Sequence, residues 1–306
     1  MARTERRTHY PWTVRHTGQS QPLMFTRFTP LRTALLILVT MIAFAGNSVL
    51  CRMALKHTTM DAATFTSIRL VSGAVVLGLM VRCVRVGRTG DGNWGSALAL
   101  FVYAAGFSLA YINLSAATGA LLLFGAVQVT MIGRGIWQGE RLARLQWLGL
   151  VLALAGLVGL MWPGLAAPPW LGAALMVWAG AAWGVYSLRG QGAGDPMWVT
   201  AGNFWRAAVM SLALSAVIPA HASWDAEGVA YAMASGAVTS GLGYALWYSV
   251  LPALKAMQAA TIQLSVPVIA ALGGVVLLGE VMTEQFVLAS VATLGGIALV
   301  IWGKRI

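Results

Sequence analysis

A chain of 306 residues in which 58% of the side chains are hydrophobic and only 9% are charged is much less polar than a typical soluble domain, where about 25% are charged. With a mean hydropathy of +0.75, the composition excludes an ordinary soluble protein and predicts an integral membrane protein. The net charge of +11 would suggest a nucleic-acid partner for a soluble protein, but in a membrane protein we expect basic residues in the loops of one face, so no nucleic-acid partner is predicted.

The first 32 residues form a polar, basic segment with three prolines, which predicts a cytoplasmic tail, 1–32, without regular structure. A rival interpretation is a signal peptide, because the apolar run that follows contains an A-x-A-like pattern at 43–45. Two observations oppose cleavage there. The apolar run continues to Leu50, and the pair at 45–46 has a counterpart at 183–184 in the second half of the chain.

Ten apolar segments follow the tail, most of them close to the roughly 20 helical residues that cross a hydrocarbon core of about 30 Å. Stretches rich in arginine, glycine and proline separate them and favour turns. The predicted fold is therefore an all-α membrane protein with ten transmembrane helices, at residues 33–55, 63–81, 94–113, 116–137, 145–162, 170–188, 198–218, 229–250, 257–279 and 286–302.

The second half of the chain repeats the residue pattern of the first. The pair at 139–140, Gly-Glu, recurs at 279–280, and the arginine of the second segment recurs in the seventh. We therefore predict two five-helix repeats, 33–163 and 170–303. Because five is an odd number, the second repeat must start from the opposite membrane face, which predicts inverted repeats related by a pseudo-two-fold axis in the membrane plane.

The positions of lysine and arginine predict the orientation. If the amino terminus is cytoplasmic, most basic residues at or beyond the ends of the apolar segments fall on the cytoplasmic side, and only Arg52 and Lys56 fall on the other. We therefore predict a multi-pass protein of the cell inner (plasma) membrane with both termini in the cytoplasm. Its expected partners are the lipid bilayer and a small-molecule substrate, and it is expected to be a monomer or a homodimer.

Three sequence features occur once in each repeat and are typical of a known family. The first segment of each repeat contains a pair ending in glycine (Ala45-Gly46 and Trp183-Gly184), the second contains an arginine, and the fourth closes with Gly-Glu. Together with the two five-segment repeats, these features over residues 33–303 resemble the EamA family of the drug/metabolite transporter superfamily.

The resemblance implies a transporter of small molecules that needs no cofactor. The compact, aromatic-rich form is similar to the amino-acid exporters of that superfamily, including the YddG-type exporters of aromatic amino acids. In one departure from the family pattern, Pro267 of the ninth segment has Val127 as its counterpart in the fourth.

Candidate site residues follow from the cost of polarity inside a membrane. Inverted-repeat transporters bind substrate near the bilayer midplane between the repeats. Polar side chains are energetically costly at that depth, so their presence there indicates a role. The alternative for each residue is a bond to a neighbouring carbonyl or a place at the membrane interface. The predicted substrate-binding residues are the polar and aromatic side chains well inside the segments: Asn47, Arg69, Tyr103, Tyr111, Trp183, Tyr186, Asn203, Arg206, Tyr244, Trp247, Tyr248 and Gln263.

The two embedded arginines, Arg69 and Arg206, allow two interpretations. Each guanidinium could pair with a substrate carboxylate through charge-assisted hydrogen bonds. Alternatively, each could reach the interface or bond a helix end, since one arginine in each repeat is also what a scaffold dictated by symmetry would contain. No Asp or Glu lies inside any segment, which argues against a buried proton relay and against a cation site.

Two further residues have predicted roles at segment ends and bends. Glu280 is expected to bond backbone groups or basic neighbours at the corner after the ninth segment. Pro267 is expected to bend that segment and so to open and close a gate.

The leading functional hypothesis is a carrier that exports small zwitterionic metabolites, above all amino acids including aromatic ones, by alternating access. Alternatives are a carrier of sugar nucleotides or phosphorylated metabolites, an exporter of drugs or other small solutes, and a channel or scaffold. An enzyme is not expected, because the segments contain no catalytic set of histidine, cysteine or carboxylate residues. No catalytic residue, metal site or cofactor is predicted.

Overall fold

The computed structural model describes residues 29–83, 91–137, 139, 142–162, 167–190, 193–217, 223–250 and 262–303. Throughout these residues the ordered elements are helices and no strand occurs, which confirms the predicted all-α class. The helices are α1 (Pro30–His57), α2 (Ala62–Cys83), α3 (Trp94–Tyr111), α4 (Ala116–Trp137), α5 (Arg144–Leu160), α6 (Trp170–Gly190), α7 (Pro196–Val217), α8 (Ala226–Met233), α9 (Gly243–Val250), α10 (Ser265–Leu278) and α11 (Glu284–Trp302).

A π-helical segment, Ala234–Leu242, joins α8 to α9 without a break in the chain. These three pieces form one helical rod, called here the α8–α9 rod. A π-helix is rare and occurs often at functional sites, because its wider turn redirects side chains.

Short polar residues set where several helices begin. The side chains of Asn93, Asp225 and Thr283 accept hydrogen bonds from backbone N–H groups in the first turns of α3, α8 and α11. Such caps satisfy donors that have no partner within the helix. The polar breaks between apolar segments are therefore the helix-starting signals of this chain.

Most of the helices have the apolar composition of membrane spans. Five of them, α1 to α4 and α6, are long and apolar enough to cross a membrane, and α5, α10 and α11 are shorter apolar helices. Large apolar side chains cover the outside: Val151, Val276 and Leu288 are 60%, 76% and 64% exposed. A surface of this kind fits lipid and would be unfavourable in water.

The first helix bears on the signal-peptide alternative. α1 runs without interruption from Pro30 to His57, and Ala45 within it is buried in the main core. The A-x-A pattern thus lies inside a packed helix, which favours a span that stays in the protein.

The main buried core takes most of its residues from α1 to α4 and α6, and others from α7, the α8–α9 rod and α10. α6 packs against α3 and α4, α1 packs against the α8–α9 rod and α10, and α2 packs against α7 and the rod. α5 and α11 pack closely on each other along the side of the bundle.

Glycine allows the close approach of α5 and α11. A β-carbon added to Gly296 would lie 2.5 Å from the backbone nitrogen of Ala153 and 2.5 Å from the carbonyl oxygen of Gly149, whereas one added to Gly295 would meet no atom within 4 Å. Small residues commonly permit such contacts between membrane helices.

This difference predicts that Gly296→Val destabilises the protein by about 1–3 kcal/mol, because the new methyl groups must push two backbones apart. Gly295→Val is the matched control, since it makes the same change one residue away in open space. The measurement is the thermal unfolding midpoint in detergent. Equal shifts in the two variants would show that the α5–α11 contact does not depend on this glycine.

Candidate functional site

A narrow cavity, called here the central cavity, lies inside the bundle between the two halves of the chain. α1 to α4 contribute from the first half, and α6, the α8–α9 rod and the turn before α10 contribute from the second. Its lining residues are Phe44, Asn47, Ser48, Arg69, Tyr103, Phe107, Leu123, Phe124, Trp183, Thr239, Ser240, Tyr244 and Gln263.

Hydrogen bonds centred on Tyr103 join the two halves beside the cavity. The Tyr103 hydroxyl accepts from Asn47 Nδ2 at 3.3 Å and from Arg69 Nη2 at 3.0 Å. Asn47 Oδ1 accepts from Ser235 Oγ at 2.6 Å and lies 3.4 Å from Thr239 Oγ1. All five residues are buried, and we call them the polar network.

Arg69 is the most unusual member of the polar network. The residue is 2% exposed, and its Nε and Nη1 atoms have no hydrogen-bond partner in the described part of the chain. The guanidinium carbon lies 4.8 Å from the ring centre of Phe107 and 5.2 Å from that of Tyr103, so cation–π attraction holds it in place. Two nitrogen atoms therefore remain free to donate hydrogen bonds.

Aromatic rings form the other side of the cavity. Trp183 stacks on Tyr244 with ring centres 5.3 Å apart and lies 4.8 Å from the ring of Tyr103. Phe44 and Phe204 make edge-to-face contacts with Tyr244, with ring centres 5.8 and 5.7 Å apart. Rings in these arrangements attract each other and present an apolar wall to the cavity.

The charge in the cavity is unbalanced. Among the described residues Arg69 is the only charged side chain in the lining, and no Asp or Glu faces it. Nor do the described residues contain a group of three or more His, Cys, Asp or Glu able to hold a metal ion. The chemistry available is therefore binding by hydrogen bonds, one positive charge and ring faces.

The free space in the cavity is about 30 Å³, room for about two water molecules. An amino acid does not fit without movement of the surrounding helices. This conformation is therefore a closed one.

Six of the predicted site residues line the central cavity: Asn47, Arg69, Tyr103, Trp183, Tyr244 and Gln263. Three more lie one layer behind and contact rings of the lining. The ring centre of Tyr111 lies 4.7 Å from that of Phe107, and that of Tyr186 lies 5.4 Å from that of Trp183. The ring centre of Trp247 lies 6.0 Å from that of Phe44. The side chain of Tyr248 lies outside the described part of the structure.

The structure places Asn203 and Arg206 away from the cavity. Asn203 Oδ1 accepts from the backbone N–H of Asn93 at 2.9 Å. Arg206 Nη1 donates to the carbonyl oxygens of Asp91 at 2.6 Å and Gly202 at 2.9 Å. Both side chains thus hold the chain entering α3 against α7, at what we call the Arg206 end of the bundle.

Sequence reasoning missed the polar face of the α8–α9 rod. Ser235, Thr239 and Ser240 are buried, and Ser235 and Thr239 approach Asn47 across the interface between the halves. The signal was present as small polar residues among glycines inside a predicted span, but their direction depends on the π-helical turn.

Glu280 closes the opposite end of the bundle, the Glu280 end. The backbone N–H of Ala116 lies 2.9 and 3.0 Å from its two carboxylate oxygens, and Arg52 Nε lies 3.6 Å away. Arg52 Nη1 also donates to the carbonyl oxygens of Tyr111 and Ile112, both at 2.8 Å. This confirms the prediction that Glu280 bonds backbone and a basic neighbour, and it ties together the ends of α1, α3, α4 and α10.

Comparison with known proteins agrees with the sequence resemblance. A sequence model of the EamA-like transporter family matches residues 31–162 and again residues 170–302. Uncharacterized protein PA1977 of Pseudomonas aeruginosa is 54% identical over 271 residues, which cover 88% of this chain and 94% of that protein.

A solved structure, described only as a crystal structure of a protein, superposes with a TM-score of 0.63 at 18% identity. The match covers 88% of this chain and 97% of the other. At that identity the likeness concerns the fold alone.

Proposed function

The chain belongs to the EamA-like transporter family, and on that premise we propose that it exports small organic solutes, above all amino acids including aromatic ones, by alternating access through the central cavity. It is a multi-pass membrane transporter and not an enzyme. The observation that carries the substrate assignment is a buried guanidinium with free donors facing stacked aromatic rings. The guanidinium suits a carboxylate, and the rings suit an apolar or aromatic side chain.

The proposed binding residues are those predicted residues that line the cavity. Tyr111, Tyr186 and Trp247 would support the rings that touch substrate, whereas Asn203 and Arg206 would hold the Arg206 end. The direction of transport, export, follows from the resemblance to amino-acid exporters.

We further propose that the chain forms ten spans in two inverted repeats, 33–163 and 170–303. The spans are α1 to α7, the α8–α9 rod, α10 with the residues before it, and α11. Packing supports this arrangement in two ways. The first helix of each repeat makes equivalent contacts in the other repeat, because α1 packs on the rod and α10 as α6 packs on α3 and α4. Equivalent helices also pack on each other across the axis: α2 on α7, α4 on α10 and α5 on α11. Glycines with positive φ follow both α4 and α10, at Gly139 and Gly279, as equivalent corners would require.

Alternating access needs one end to open while the other stays closed. The contacts of Arg52 and Glu280 hold one end, and the contacts of Arg206 and Asn203 hold the other. We place the protein in the inner membrane with its amino terminus in the cytoplasm. In that orientation the Arg206 end faces the cytoplasm. Release outside then requires the Glu280 end to separate.

Carrier activity predicts saturable counterflow of radiolabelled phenylalanine in proteoliposomes preloaded with unlabelled phenylalanine. Trp183→Ala removes a ring from the cavity and should raise the half-saturation concentration about tenfold, which corresponds to about 1.4 kcal/mol. Trp178→Ala is the control, because Trp178 lies on the same helix and is 71% exposed. Flux that does not saturate would indicate a channel and contradict the proposal.

The inverted arrangement predicts opposite accessibility for two exposed positions. In a chain whose native Cys51 and Cys83 are replaced by alanine, a membrane-impermeant maleimide added to intact cells should label Val281→Cys. The same reagent should label Gly190→Cys only after the membrane is permeabilised, because α6 ends on the cytoplasmic face. Labelling of both positions from one side would contradict the topology.

Substitution of Pro267 is expected to change the rate at which the cavity opens to alternate sides of the membrane. Pro267 is buried in the first turn of α10, directly after a turn at Leu264, and it lacks the N–H that would extend the helix backwards. Pro267→Ala should lower the maximal counterflow rate about fivefold, a change of about 1 kcal/mol, and leave half-saturation nearly constant. Pro196→Ala is the control, since proline at the first residue of α7 interrupts no hydrogen bond. An unchanged rate and an unchanged inward/outward equilibrium would remove Pro267 from the gate.

A further inference from the structure

Arg69 keeps its charge without an anion. A guanidinium remains protonated in proteins even when it is buried. Arg69 is 2% exposed, and no ion pair to it occurs among the described residues. Burying a lone charge is unfavourable unless a partner neutralises it. The residues that the structure describes supply no such partner.

Hydrogen bonding leads to the same conclusion. Of the three guanidinium nitrogens, Nη2 donates to the Tyr103 hydroxyl, and Nε and Nη1 donate to no atom of the described residues. The neighbouring rings of Tyr103 and Phe107 attract the cation but accept no conventional hydrogen bond. Buried donors without acceptors are rare in native structures, and each needs an explanation.

The equivalent arginine of the second half provides a comparison inside the same chain. Arg206 Nη1 donates to two carbonyl oxygens and the guanidinium carbon lies 5.8 Å from the Trp94 ring centre, so the protein itself supplies acceptors and a ring face to this arginine. Arg69 lies on the cavity and Arg206 does not. Of these two equivalent arginines, the one with unsatisfied donors among the described residues is therefore the one that lines the cavity.

We propose that Arg69 is the carboxylate site of the central cavity, and that the substrates are monocarboxylates with an aromatic or branched apolar body. This rests on the proposed transport function and narrows its substrate class. One guanidinium balances one carboxylate, while Trp183 and Tyr244 receive the body of the solute. No carboxylate among the described lining residues is available to pair with an ammonium group, so the amino group of an amino acid is tolerated and is not required.

The test compares three solutes of similar size for binding to the detergent-purified, full-length protein by isothermal titration calorimetry. Phenylalanine has both charged groups, 3-phenylpropionate has only the carboxylate, and phenethylamine has only the ammonium. The expected result is that the first two bind with dissociation constants within about fivefold of each other, and that phenethylamine binds at least about thirtyfold more weakly.

Arg69→Gln should weaken binding of 3-phenylpropionate about thirtyfold, the usual effect of losing a hydrogen bond to a charged group. Arg82→Gln is the matched control, because Arg82 lies at the exposed end of the same helix. If Arg69→Gln does not fold, Arg69→Lys retains the charge and should keep the preference for 3-phenylpropionate over phenethylamine.

Phenethylamine binding as tightly as phenylalanine, or failure of all three solutes to bind, would overturn the carboxylate site. So would unchanged 3-phenylpropionate affinity in Arg69→Gln. Counterflow of some other solute would then leave the transport function standing. Conversely, carboxylate binding without counterflow would keep the site and remove the carrier function.

Discussion

The hydroxyl group of Tyr103 connects charge, polarity and the two halves of the bundle. It accepts hydrogen bonds from Arg69 and Asn47, and Asn47 accepts from Ser235 of the α8–α9 rod. Lipid cannot satisfy such groups, so they must find partners inside the protein. The central cavity lies beside this network, where the aromatic rings around the Arg69 guanidinium leave some space unfilled. The aromatic wall of Trp183 and Tyr244 lines the same cavity as that charge.

Much of the fold follows from sequence because the membrane limits the choices. Long apolar runs become helices, and short polar residues such as Asn93 and Thr283 start them. The six predicted cavity residues were identifiable because polarity inside a span is costly. The contribution of Ser235 and Thr239 was not identifiable, since a π-helical turn arises from packing that no local pattern encodes.

The two arginines explain why internal repetition is an incomplete guide to function. Arg69 and Arg206 occupy matching places in the pattern, yet one faces the cavity and the other bonds the carbonyl group of Asp91. The difference comes from the connection into α3, which passes beside Arg206 and supplies acceptors. Repeats share a helical frame, whereas loops and neighbouring side chains decide what each repeated residue does. Gln263 and Pro267, near the start of α10, likewise have different residues, Leu123 and Val127, at the matching positions of the first half.

The proposed transport cycle would make the protein sensitive to voltage through Arg69. Moving one elementary charge through the membrane field changes the free energy by about 2.3 kcal/mol per 100 mV. With the cavity empty, the field would act on the guanidinium of Arg69 each time the protein changes the side to which the cavity opens. A bound monocarboxylate would cancel that charge, so the loaded protein would reorient with little electrical work. The membrane potential of the cell would then act mainly on the return of the empty protein.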